Sequence, residues 1–241
     1  MRLISWNCKG AFHRKNHLVT ALNPDVLIVP ECEQMDALPA ELGSRSASSF
    51  HWFGSDPRKG MAVMSFGDYA LEPLPISDGP KWVIPLKVTG RESFLLFAVW
   101  TIPVIEIASY VLPLFQAHRL YREHWHESEV VWAGDFNANV LFDRPSRRYK
   151  FRDFIVELEA DGIRSLYHEH FKNDHGAEAR KTFYHYHHEE RAHHIDYVFA
   201  SGGVRQHGFS LTLGSFAEWA RHSDHVPVVC DLFVDHAAVS T

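Results

Sequence analysis

The feature that most constrains the fold of this chain is the segment 130–139, which reads VVWAGDFNAN. Its four leading apolar residues, two of them β-branched valines, are typical of a strand that is buried on both faces. The glycine predicts a turn, after which Asp135 and Asn137 emerge at the C-terminal end of the strand. A buried carboxylate costs several kcal/mol unless a cation, a proton or a hydrogen-bond donor meets it. Taken alone, the segment is better explained by an Asx-turn, in which both polar side chains bind their own loop.

The same pattern, an apolar strand with a polar side chain at its end, recurs along the chain. The polar side chains at these places are Asn7, Glu31, Asp135 with Asn137, Asp196, and Asp224 with His225. A single polar strand end is unremarkable, whereas several of them predict a shared site at one edge of the sheets. Converging carboxylates repel one another unless a cation or raised pKa values relieve the repulsion.

Three of these residues predict a binding site for a hard divalent cation. Asn7, Glu31 and Asp224 offer oxygen ligands, and neither a CxxC pair nor a fixed spacing of histidines accompanies them. Oxygen ligands favour Mg²⁺ or Mn²⁺ over structural zinc. Cys8 and Cys32 adjoin two of the ligands, but neighbours on a strand point to opposite faces, so both cysteines are predicted core residues.

The order of the predicted strands indicates sheets on the inside and helices on the outside. Residues 3–6 and 25–30 are predicted strands with a short helix, residues 15–22, between them. From residue 50 to residue 100, short strands alternate with turn residues, and the turn at 56–60 predicts a hairpin. This stretch is typical of an antiparallel meander rather than of repeated βαβ units.

Two further helices are predicted in the second half of the chain. The apolar spacing over residues 104–126 predicts a helix that Pro113 kinks. Another helix is predicted over residues 151–160, because an Asp-Gly pair ends its apolar pattern. No linker or repeat divides the sequence, so residues 1–241 are predicted to form one α+β domain.

A net charge of −6 gives the chain no overall attraction for nucleic acid, so such binding requires a local basic patch. The densest basic cluster directly follows the Gly-Asp-Phe-Asn loop and consists of Arg144, Arg147, Arg148, Lys150 and Arg152. This loop would neutralise phosphates beside a scissile bond. A solvated loop with partners in Asp143 and Asp153 is an equally good interpretation. Trp52, Trp82 and Trp100 fall within predicted strands and are predicted core residues rather than platforms for stacking bases.

The sequence also predicts the cellular compartment. Three cysteines without a CxxC pair argue against a disulfide framework, because an odd number leaves one unpaired. No signal peptide is visible, and the longest apolar run, residues 94–100, is too short to span a bilayer. We therefore predict a reduced, cytoplasmic protein without membrane insertion, and no feature of the sequence predicts a protein partner.

Eighteen histidines are unusually many, and several of them lie close to Asp196 in the sequence. These are His185, His187, His188, His193 and His194. His185 and His187 would share one face of a predicted strand, which is a spacing that a zinc site could use. A solvated polar rim around the active site is the preferred interpretation.

Five motifs in this order resemble those of the exonuclease–endonuclease–phosphatase superfamily, which has the deoxyribonuclease I-like fold. They are Trp6-Asn7, Pro30-Glu31, Gly-Asp-Phe-Asn at 134–137, Ile-Asp-Tyr-Val-Phe at 195–199 and Ser-Asp-His-Val-Pro at 223–227. The resemblance extends over nearly the whole chain. It implies a four-layer α/β/β/α sandwich, in which two packed, mostly antiparallel sheets are flanked by helices, and metal-dependent hydrolysis of phosphate esters.

The resemblance also implies roles for the motif residues. Glu31 would bind the catalytic Mg²⁺ or Mn²⁺, with Asn7 and Asp224 nearby. Asp135 would orient or deprotonate the attacking water, and Asn137 would hold that water or a phosphate oxygen. Attack on a phosphodiester needs such an activated water together with positive charge on the equatorial oxygens.

Asp196 and His225 would act as a pair. The carboxylate would orient the ring and raise its basicity, so that the imidazolium stabilises charge on the phosphoryl oxygens. The plain alternative for Asp196 and His225 is a buried ion pair that ties two strands together.

Three positions depart from the family pattern. Lys9 stands where relatives often place an acid or an amide; it cannot bind a metal while charged, but it could contact a phosphate. His194 stands where relatives often carry arginine, so it too is a predicted phosphate ligand. Residues 98–103 lack the usual tyrosine or histidine beside the phosphate, so the leaving group has no obvious proton donor.

The leading hypothesis is a divalent-metal-dependent phosphodiester hydrolase, specifically a nuclease on DNA or RNA, whose water is activated by the metal and by Asp135. The predicted substrate-binding residues are Asn7, Lys9, His194, Arg147 and Arg148. The second hypothesis is a phosphomonoesterase or phospholipase-like hydrolase of inositol phosphates or sphingomyelin. The third is a binding module with the same fold and weak catalysis, which only Lys9 and the missing tyrosine or histidine support.

Overall fold

The structure, a computed structural model, describes residues 1–35, 42–43, 45–75, 79–104, 109–125 and 128–233. In chain order the elements are β1 (Arg2–Ser5), α1 (Phe12–Thr20), β2 (Val26–Cys32), β3 (Ala47–Asp56), β4 (Lys59–Phe66), β5 (Ala70–Pro73), β6 (Val83–Thr89), β7 (Phe94–Trp100), α2 (Leu112–Tyr121), β8 (Val130–Asp135), α3 (Phe151–Ala160), β9 (Arg164–Ser165), α4 (Leu166–Phe171), β10 (Phe183–Tyr184), β11 (Ala192–His193), β12 (Asp196–Ala200), α5 (Gly202–Gln206), β13 (Phe209–Leu213), α6 (Phe216–Trp219) and β14 (Val228–Leu232). The first sheet has the strand order β13-β14-β1-β2-β4-β3, and the second has the order β5-β6-β7-β8-β12-β9. β10 and β11 form a separate two-stranded ribbon.

Both sheets are mostly antiparallel, as predicted. The parallel pairs are β1 with β2 in the first sheet and β7 with β8 in the second. The predicted hairpin is confirmed, since β3 and β4 are antiparallel and Asp56 pairs with Lys59 beside the turn. Parallel neighbours end at the same edge of a sheet, so each parallel pair brings two strand ends together.

The two sheets pack face to face over a shared apolar core. Ile28 and Val63 of the first sheet and Leu96 and Val131 of the second belong to this core. On the outer faces, α1 covers the first sheet through Phe12, and α2 and α3 cover the second. The result is the predicted α+β fold, a four-layer α/β/β/α sandwich. None of the helices in the described part of the chain is long and apolar enough to cross a membrane.

The central strand β8 shows how the sequence pattern leads to this packing. Val131 and Ala133 face the core between the sheets, whereas Val130 and Trp132 face the helical layer. Because both faces are covered, every residue of the strand through Asp135 is buried. An uninterrupted apolar run is the pattern that such a strand requires.

Gly134 does not form the predicted turn. It lies inside β8 with a φ of 142° and pairs with Val99 of the parallel strand β7. A Cβ atom added here would lie 1.9 Å from the Val99 carbonyl oxygen. The glycine is therefore required by the close approach of two strands, and the chain turns only after Asp135.

Replacing Gly134 with alanine is expected to lower the free energy of unfolding by about 3–5 kcal/mol, because the new methyl group overlaps strand backbone. Gly162→Ala is the matched control. Gly162 also has a positive φ, 78°, but nothing lies within 4 Å of an added Cβ, so we expect a loss of about 1–2 kcal/mol. Urea unfolding followed by circular dichroism measures both, and equal losses would contradict the packing argument.

α2 is shorter than predicted. It begins at Leu112 rather than at residue 104, and Pro113 lies in its first turn. The missing N–H of proline is tolerated there, so Pro113 starts the helix and does not kink it. Residues 105–108 and 126 of the predicted helix lie outside the described residues.

The other two predicted helices agree more closely with the structure. α3 has the predicted bounds. α1 begins at Phe12, earlier than predicted, because both carboxylate oxygens of Glu33 accept hydrogen bonds from the Phe12 and His13 N–H groups. The residue that caps α1 thus follows the next strand in sequence. Rules for helix caps consider only residues close to the helix in sequence, so they do not predict this cap.

Candidate active site

The polar residues at the predicted strand ends meet at one edge of the sandwich. Asn7 follows β1 and Glu31 lies near the end of β2, which is the parallel neighbour of β1. In the second sheet, the antiparallel register pairs Asp135, at the end of β8, with Asp196, at the start of β12. Asn7 Nδ2 donates a hydrogen bond of 2.9 Å to Asp135 Oδ2, which joins the two sheets.

Asp135 is fully buried and is held by amide donors. Its Oδ2 accepts hydrogen bonds from Asn7 Nδ2 at 2.9 Å and from Asn137 Nδ2 at 3.0 Å, and its Oδ1 accepts from the Asn137 backbone N–H at 2.9 Å. Asn137 adopts a left-handed φ of 46°, so backbone and side chain bind the same carboxylate. Burial, and then the Asp196 carboxylate, raise the pKa of Asp135 to about 7. This carboxyl group is therefore suited to exchange a proton near neutral pH.

His225 and Asp196 form a buried pair in which Nδ1 lies 2.9 Å from Oδ2. Burial lowers the pKa of His225, but the carboxylates of Asp196 and Asp135 outweigh burial and raise the pKa to about 9. The ring is therefore an imidazolium at neutral pH and donates Nδ1–H to Asp196. Its Nε2 lies 3.9 Å from Asp135 Oδ2, so a proton donor and a proton acceptor face each other.

Asp135, Asp196 and His225 together form the acid–base group of the site. Their ligand-type atoms lie within 4.8 Å of one another, which is a spacing that could also hold a metal ion. A protonated imidazole offers no lone pair to a metal. The arrangement is therefore better suited to proton transfer and to binding of an anion than to metal ligation.

Two hydroxyl side chains hold the acid–base group in place. Thr182 Oγ1 accepts a hydrogen bond of 3.0 Å from the Asp196 N–H. Ser223 Oγ donates to the Asn7 carbonyl oxygen at 2.7 Å and accepts from the His225 N–H at 3.1 Å. Sequence reasoning quoted Ser223 in a motif without giving it a role. No signal in the sequence indicates Thr182, because its contact with β12 depends on the packing of two segments that are distant in sequence.

Comparison with known proteins decides the family, because a model of the endonuclease/exonuclease/phosphatase family matches residues 4–225. The chain belongs to this family. A search of curated protein sequences finds no match. Enzymes of the endonuclease/exonuclease/phosphatase family are hydrolases such as nucleases and phosphatases, so the chain is a phosphoesterase-type hydrolase by family.

Solved structures share the deoxyribonuclease I-like fold with this chain. The 3'-5' exonuclease NExo from Neisseria meningitidis has a TM-score of 0.69 and 18% identity, and the match covers 96% of this chain and 99% of that one. An AP endonuclease from Archaeoglobus fulgidus has a TM-score of 0.68 and 20% identity, with the same 96% and 99% coverage. Truncated Caenorhabditis elegans TDP2 has a TM-score of 0.68 and 15% identity, and 97% of each chain is covered.

Enzymes of the endonuclease/exonuclease/phosphatase family are generally divalent-metal dependent, and two carboxylates of this site fit such a cation. Lys59 Nζ lies 3.1 Å from Glu31 Oε2, and Lys9 Nζ lies 2.7 Å from Asp224 Oδ2. A lysine ammonium group contacts one oxygen of each carboxylate, so a positive charge can approach both carboxylates. Asn7 Oδ1 accepts the Lys9 N–H at 3.0 Å and keeps a second lone pair. This oxygen donor set suits Mg²⁺ or Mn²⁺.

Glu31 reaches the site because the strand bulges. The pairing of β2 with β4 shifts register between Pro30 and Cys32, and Glu31 between them has a left-handed φ of 58°. A bulge re-aims the side chain of its extra residue. A non-glycine residue in this conformation costs on the order of 1 kcal/mol, which persists only where the surrounding structure fixes it. The Pro-Glu motif locates Glu31, but only the pairing of two strands shows where its carboxylate points.

Lys9, the departure from the family pattern, lies at the rim of the site. Besides Asp224, its Nζ contacts His187 Nε2 at 3.0 Å, and His187 Nδ1 lies 2.7 Å from the Ala220 carbonyl oxygen. His187 is thus part of the exposed polar rim that the sequence favours. The alternative zinc spacing does not form, because β10 ends at Tyr184 and the residues from His185 to His187 make a 3₁₀ turn.

His194 lies in an environment that does not suit the predicted phosphate contact. The residue is 1% exposed, and its Nδ1 lies 3.0 Å from the Arg180 carbonyl oxygen. Burial lowers the pKa of His194 to about 3, so the ring is neutral. A neutral ring whose Nδ1 is already bound to a carbonyl oxygen has neither a positive charge nor a remaining N–H for a phosphate.

Arg147 and Arg148, the other predicted substrate ligands, lie in the loop that precedes α3. Both line a cavity of about 380 Å³ together with Ser109 and with Leu112, the first residue of α2. Their side chains are exposed, so the basic loop forms a positively charged surface beside the start of α2.

An aromatic cavity of about 360 Å³ is formed by residues of β3 and by residues at and before the start of β6. It is lined by Trp52, Phe53, Gly54, Ser55, Lys81, Trp82 and Ile84. Trp52 Nε1 donates to the Cys32 carbonyl oxygen at 3.0 Å, and Trp82 packs on Trp100 with ring centroids 4.8 Å apart. Lys59 Nζ lies 5.5 Å from the Trp100 ring. The core prediction is right for Trp100, but Trp52 and Trp82 are half-buried cavity residues.

Proposed function

We propose that this protein is a divalent-metal-dependent phosphodiesterase that acts on nucleic acid. The observation that carries the proposal is the acid–base group, in which the amide-held carboxylate of Asp135 faces the imidazolium of His225 at 3.9 Å. A phosphoesterase needs a group that accepts a proton from water next to a cationic group that stabilises the phosphoryl oxygens. Asp135 and His225 supply these two groups, and the carboxylates proposed to hold the cation, Glu31 and Asp224, each pair with a lysine in this structure.

The residues divide the chemistry as follows. Three N–H donors occupy acceptor sites of Asp135, and a carboxylate offers about four, so one lone pair remains to orient a water and take its proton. His225, oriented by Asp196, donates Nε2–H to a phosphoryl oxygen. Glu31, Asp224 and Asn7 would hold the cation, which supplies positive charge to the phosphate and to the leaving oxygen when it is bound.

The basic loop favours nucleic acid as the substrate. Arg147 and Arg148 are exposed and line one cavity, and positive charge of this kind would bind phosphates that flank the scissile phosphate of a polyanion. Two proteins of similar fold are named as an exonuclease and an AP endonuclease, which supports the same substrate class. Lys9, at the rim, is the proposed ligand of a phosphate oxygen.

The aromatic cavity favours a second candidate, hydrolysis of a phosphate ester with a small or apolar substituent. Trp52, Trp82 and Ile84 offer apolar surface for such a substituent. An inositol phosphate or a sphingomyelin headgroup lacks the repeating phosphate backbone that the basic loop would bind. NExo from Neisseria is also named as a 3' phosphatase bound to a product DNA hairpin, so monoester hydrolysis is a reaction of at least one similar structure.

Hydrolysis of bis-(p-nitrophenyl) phosphate with Mg²⁺ or Mn²⁺ tests the proposed reaction, and p-nitrophenyl phosphate tests the monoester alternative. We expect metal-dependent turnover of the diester that is lost in Glu31→Gln. A panel of single-stranded and double-stranded DNA, RNA, inositol phosphates and sphingomyelin then identifies the substrate class. No turnover of either nitrophenyl ester with any divalent metal would favour the binding-module alternative instead.

Replacing Arg147 and Arg148 with alanine is expected to lower kcat/KM on a nucleic acid by about 10-fold, mainly through KM, because two phosphate contacts are lost. The salt dependence of kcat/KM should also become shallower, by about one unit of logarithmic slope per contact. Arg164→Ala together with Lys172→Ala is the matched control, since both residues are exposed and lie outside this loop. If the salt dependence of kcat/KM is unchanged on every polyanion tested, the basic loop does not bind the substrate.

A further inference from the structure

A second cluster of metal-ligand residues lies in the histidine-rich segment, apart from the acid–base group. It consists of His168 in α4, His175 in the following loop, and Glu178. One ring nitrogen of each histidine and one carboxylate oxygen of Glu178 lie within 4.8 Å of one another. In the part of the chain that the structure describes, the acid–base group is the only other set of such residues with this spacing.

Glu178 is a buried anion at the centre of the cluster, with an exposed fraction of 2%. Its Oε1 accepts the Gly176 N–H at 2.9 Å and lies 3.2 Å from His168 Nε2. Burial raises the pKa of Glu178, but the hydrogen bonds from His168 and Gly176 outweigh burial and lower the pKa to about 2. A charged carboxylate in the interior requires a positive charge beside it.

An ion pair between His168 and Glu178 does not account for the rest of the cluster. His175 Nδ1 is buried and has no hydrogen-bond partner among the described residues. A neutral imidazole carries one lone pair and one N–H, and Nδ1 of His175 has neither a donor nor an acceptor beside it among the described residues. The ring of His175 stacks on that of His168 with centroids 3.5 Å apart. A buried lone pair without a partner is costly unless an ion or a water fills the place.

A second unpartnered nitrogen lies close by. His194 Nε2 is buried without a hydrogen-bond partner in the described ranges, and the His194 and His168 ring centroids are 6.3 Å apart. His194 Nδ1 already binds the Arg180 carbonyl oxygen, so Nε2 carries the lone pair. His194 is not among the residues within 4.8 Å of one another, so the nitrogen that points to a cation beside Glu178 is the unpartnered one of His175.

The outer contacts of the cluster are those of a metal site. His168 Nδ1 lies 2.7 Å from Ser165 Oγ, which leaves Nε2 for the Glu178 side. Histidines that bind metals usually donate their other ring N–H to a protein acceptor, which fixes the tautomer. The second oxygen of Glu178 accepts a hydrogen bond of 3.2 Å from Asn139 Nδ2. Two of the three ligands are therefore oriented by neighbours that do not themselves bind the metal.

We propose that His168, His175 and Glu178 bind Zn²⁺, or a transition-metal cation of similar chemistry, in a site separate from that of Glu31 and Asp224. Two imidazoles and a carboxylate suit zinc better than Mg²⁺, which prefers oxygen ligands. Tetrahedral bonds of about 2.1 Å place ligand atoms about 3.4 Å apart, so binding draws the cluster inward by about 1 Å. The ion would link the loop that carries His175 to α4. Because Asn139 donates a hydrogen bond to Glu178, the ion would also be linked to the segment that carries Asn137.

The experiment counts zinc bound to the full chain. Protein stripped with a chelator is dialysed against Zn²⁺, bound metal is measured by elemental analysis, and Kd is measured by competition with a chromophoric chelator. His175→Ala and Glu178→Gln test the cluster, and His188→Ala, an exposed histidine of the same segment, is the matched control. A Glu31→Gln/Asp224→Asn variant removes the other metal site. Co²⁺ substitution adds a readout, since tetrahedral Co²⁺ absorbs visible light.

We expect one equivalent of zinc in the wild type, in His188→Ala and in the Glu31→Gln/Asp224→Asn variant. His175→Ala and Glu178→Gln should each weaken Kd at least 100-fold, while their circular dichroism and melting temperature in chelator stay close to those of the wild type. If His175→Ala fails to fold, the isosteric Glu178→Gln decides. The proposal is overturned if the wild type binds no zinc at micromolar concentrations, if both cluster variants bind it normally, or if only the Glu31→Gln/Asp224→Asn variant loses it.

Discussion

Asp135→Asn is expected to lower kcat by about 10²–10⁴-fold, the usual contribution of a general base. The side-chain amide that this substitution introduces cannot take a proton from water. Its NH₂ group would also face one of the three N–H groups that donate hydrogen bonds to Asp135 in the wild type. The loss should appear in kcat more than in KM, since Asp135 acts on the water rather than on the substrate. Steady-state hydrolysis of bis-(p-nitrophenyl) phosphate at saturating metal measures it.

Asp143→Asn is the matched control for this substitution. Asp143 also accepts two backbone hydrogen bonds, from the N–H groups of Phe151 and Arg152, but it caps α3 outside the acid–base group. We expect Asp143→Asn to cost about 1 kcal/mol of stability and to leave kcat within about twofold. If Asp135→Asn keeps more than a tenth of the wild-type kcat, Asp135 is not the base that this site depends on.

Asp196→Asn and His225→Ala are each expected to lower kcat by roughly 10²–10⁴-fold, because both remove the same oriented imidazolium. The double variant should lose little more than His225→Ala alone, since residues that act as a unit are not additive. The pH profile separates orientation from a structural role. The carboxylate of Asp196 helps to hold the pKa of His225 near 9. Asp196→Asn should therefore move the alkaline limb of kcat/KM to lower pH.

A second buried histidine–aspartate pair provides the control. His118 Nε2 lies 2.8 Å from Asp161 Oδ2, and this pair joins α2 to the end of α3, far from the acid–base group in the fold. Asp161→Asn should lower the melting temperature while kcat and the pH profile stay unchanged. Additive losses in the Asp196→Asn/His225→Ala variant, with no shift of the alkaline limb, would support the plain alternative of a strand-tying ion pair.

Many of the strands, and the polar residues at their ends, could be read from local patterns. An apolar run such as that of β8 can only be accommodated between two covering layers, and all of its residues are indeed buried. A polar residue at the end of such a run lies at the edge of the sheet, which is why Asn7, Glu31 and Asp135 could be expected near one another. The order of the motifs then predicted the deoxyribonuclease I-like fold, which the family match and the similar structures confirm.

Local patterns failed where a long-range contact decides the outcome. Gly134 looks like a turn residue, but the Val99 carbonyl of a parallel neighbour makes it a strand residue. The strand expected to carry His185 and His187 is a 3₁₀ turn instead, which removes the less favoured zinc alternative and leaves the preferred polar rim. Periodicity describes one segment at a time and does not show which other segments pack against it.

The sequence by itself determined the fold class, the family and the kinds of side chain at the site, because burial pattern and motif order are local properties. Only the tertiary structure decided which atoms meet. The hydrogen bond between Asn7 and Asp135 spans 128 residues, and Lys59 reaches Glu31 only because a bulge turns that carboxylate outward. Hydrogen bonds and ion pairs act over a few ångströms, so the packing of the two sheets sets their geometry and sequence spacing does not.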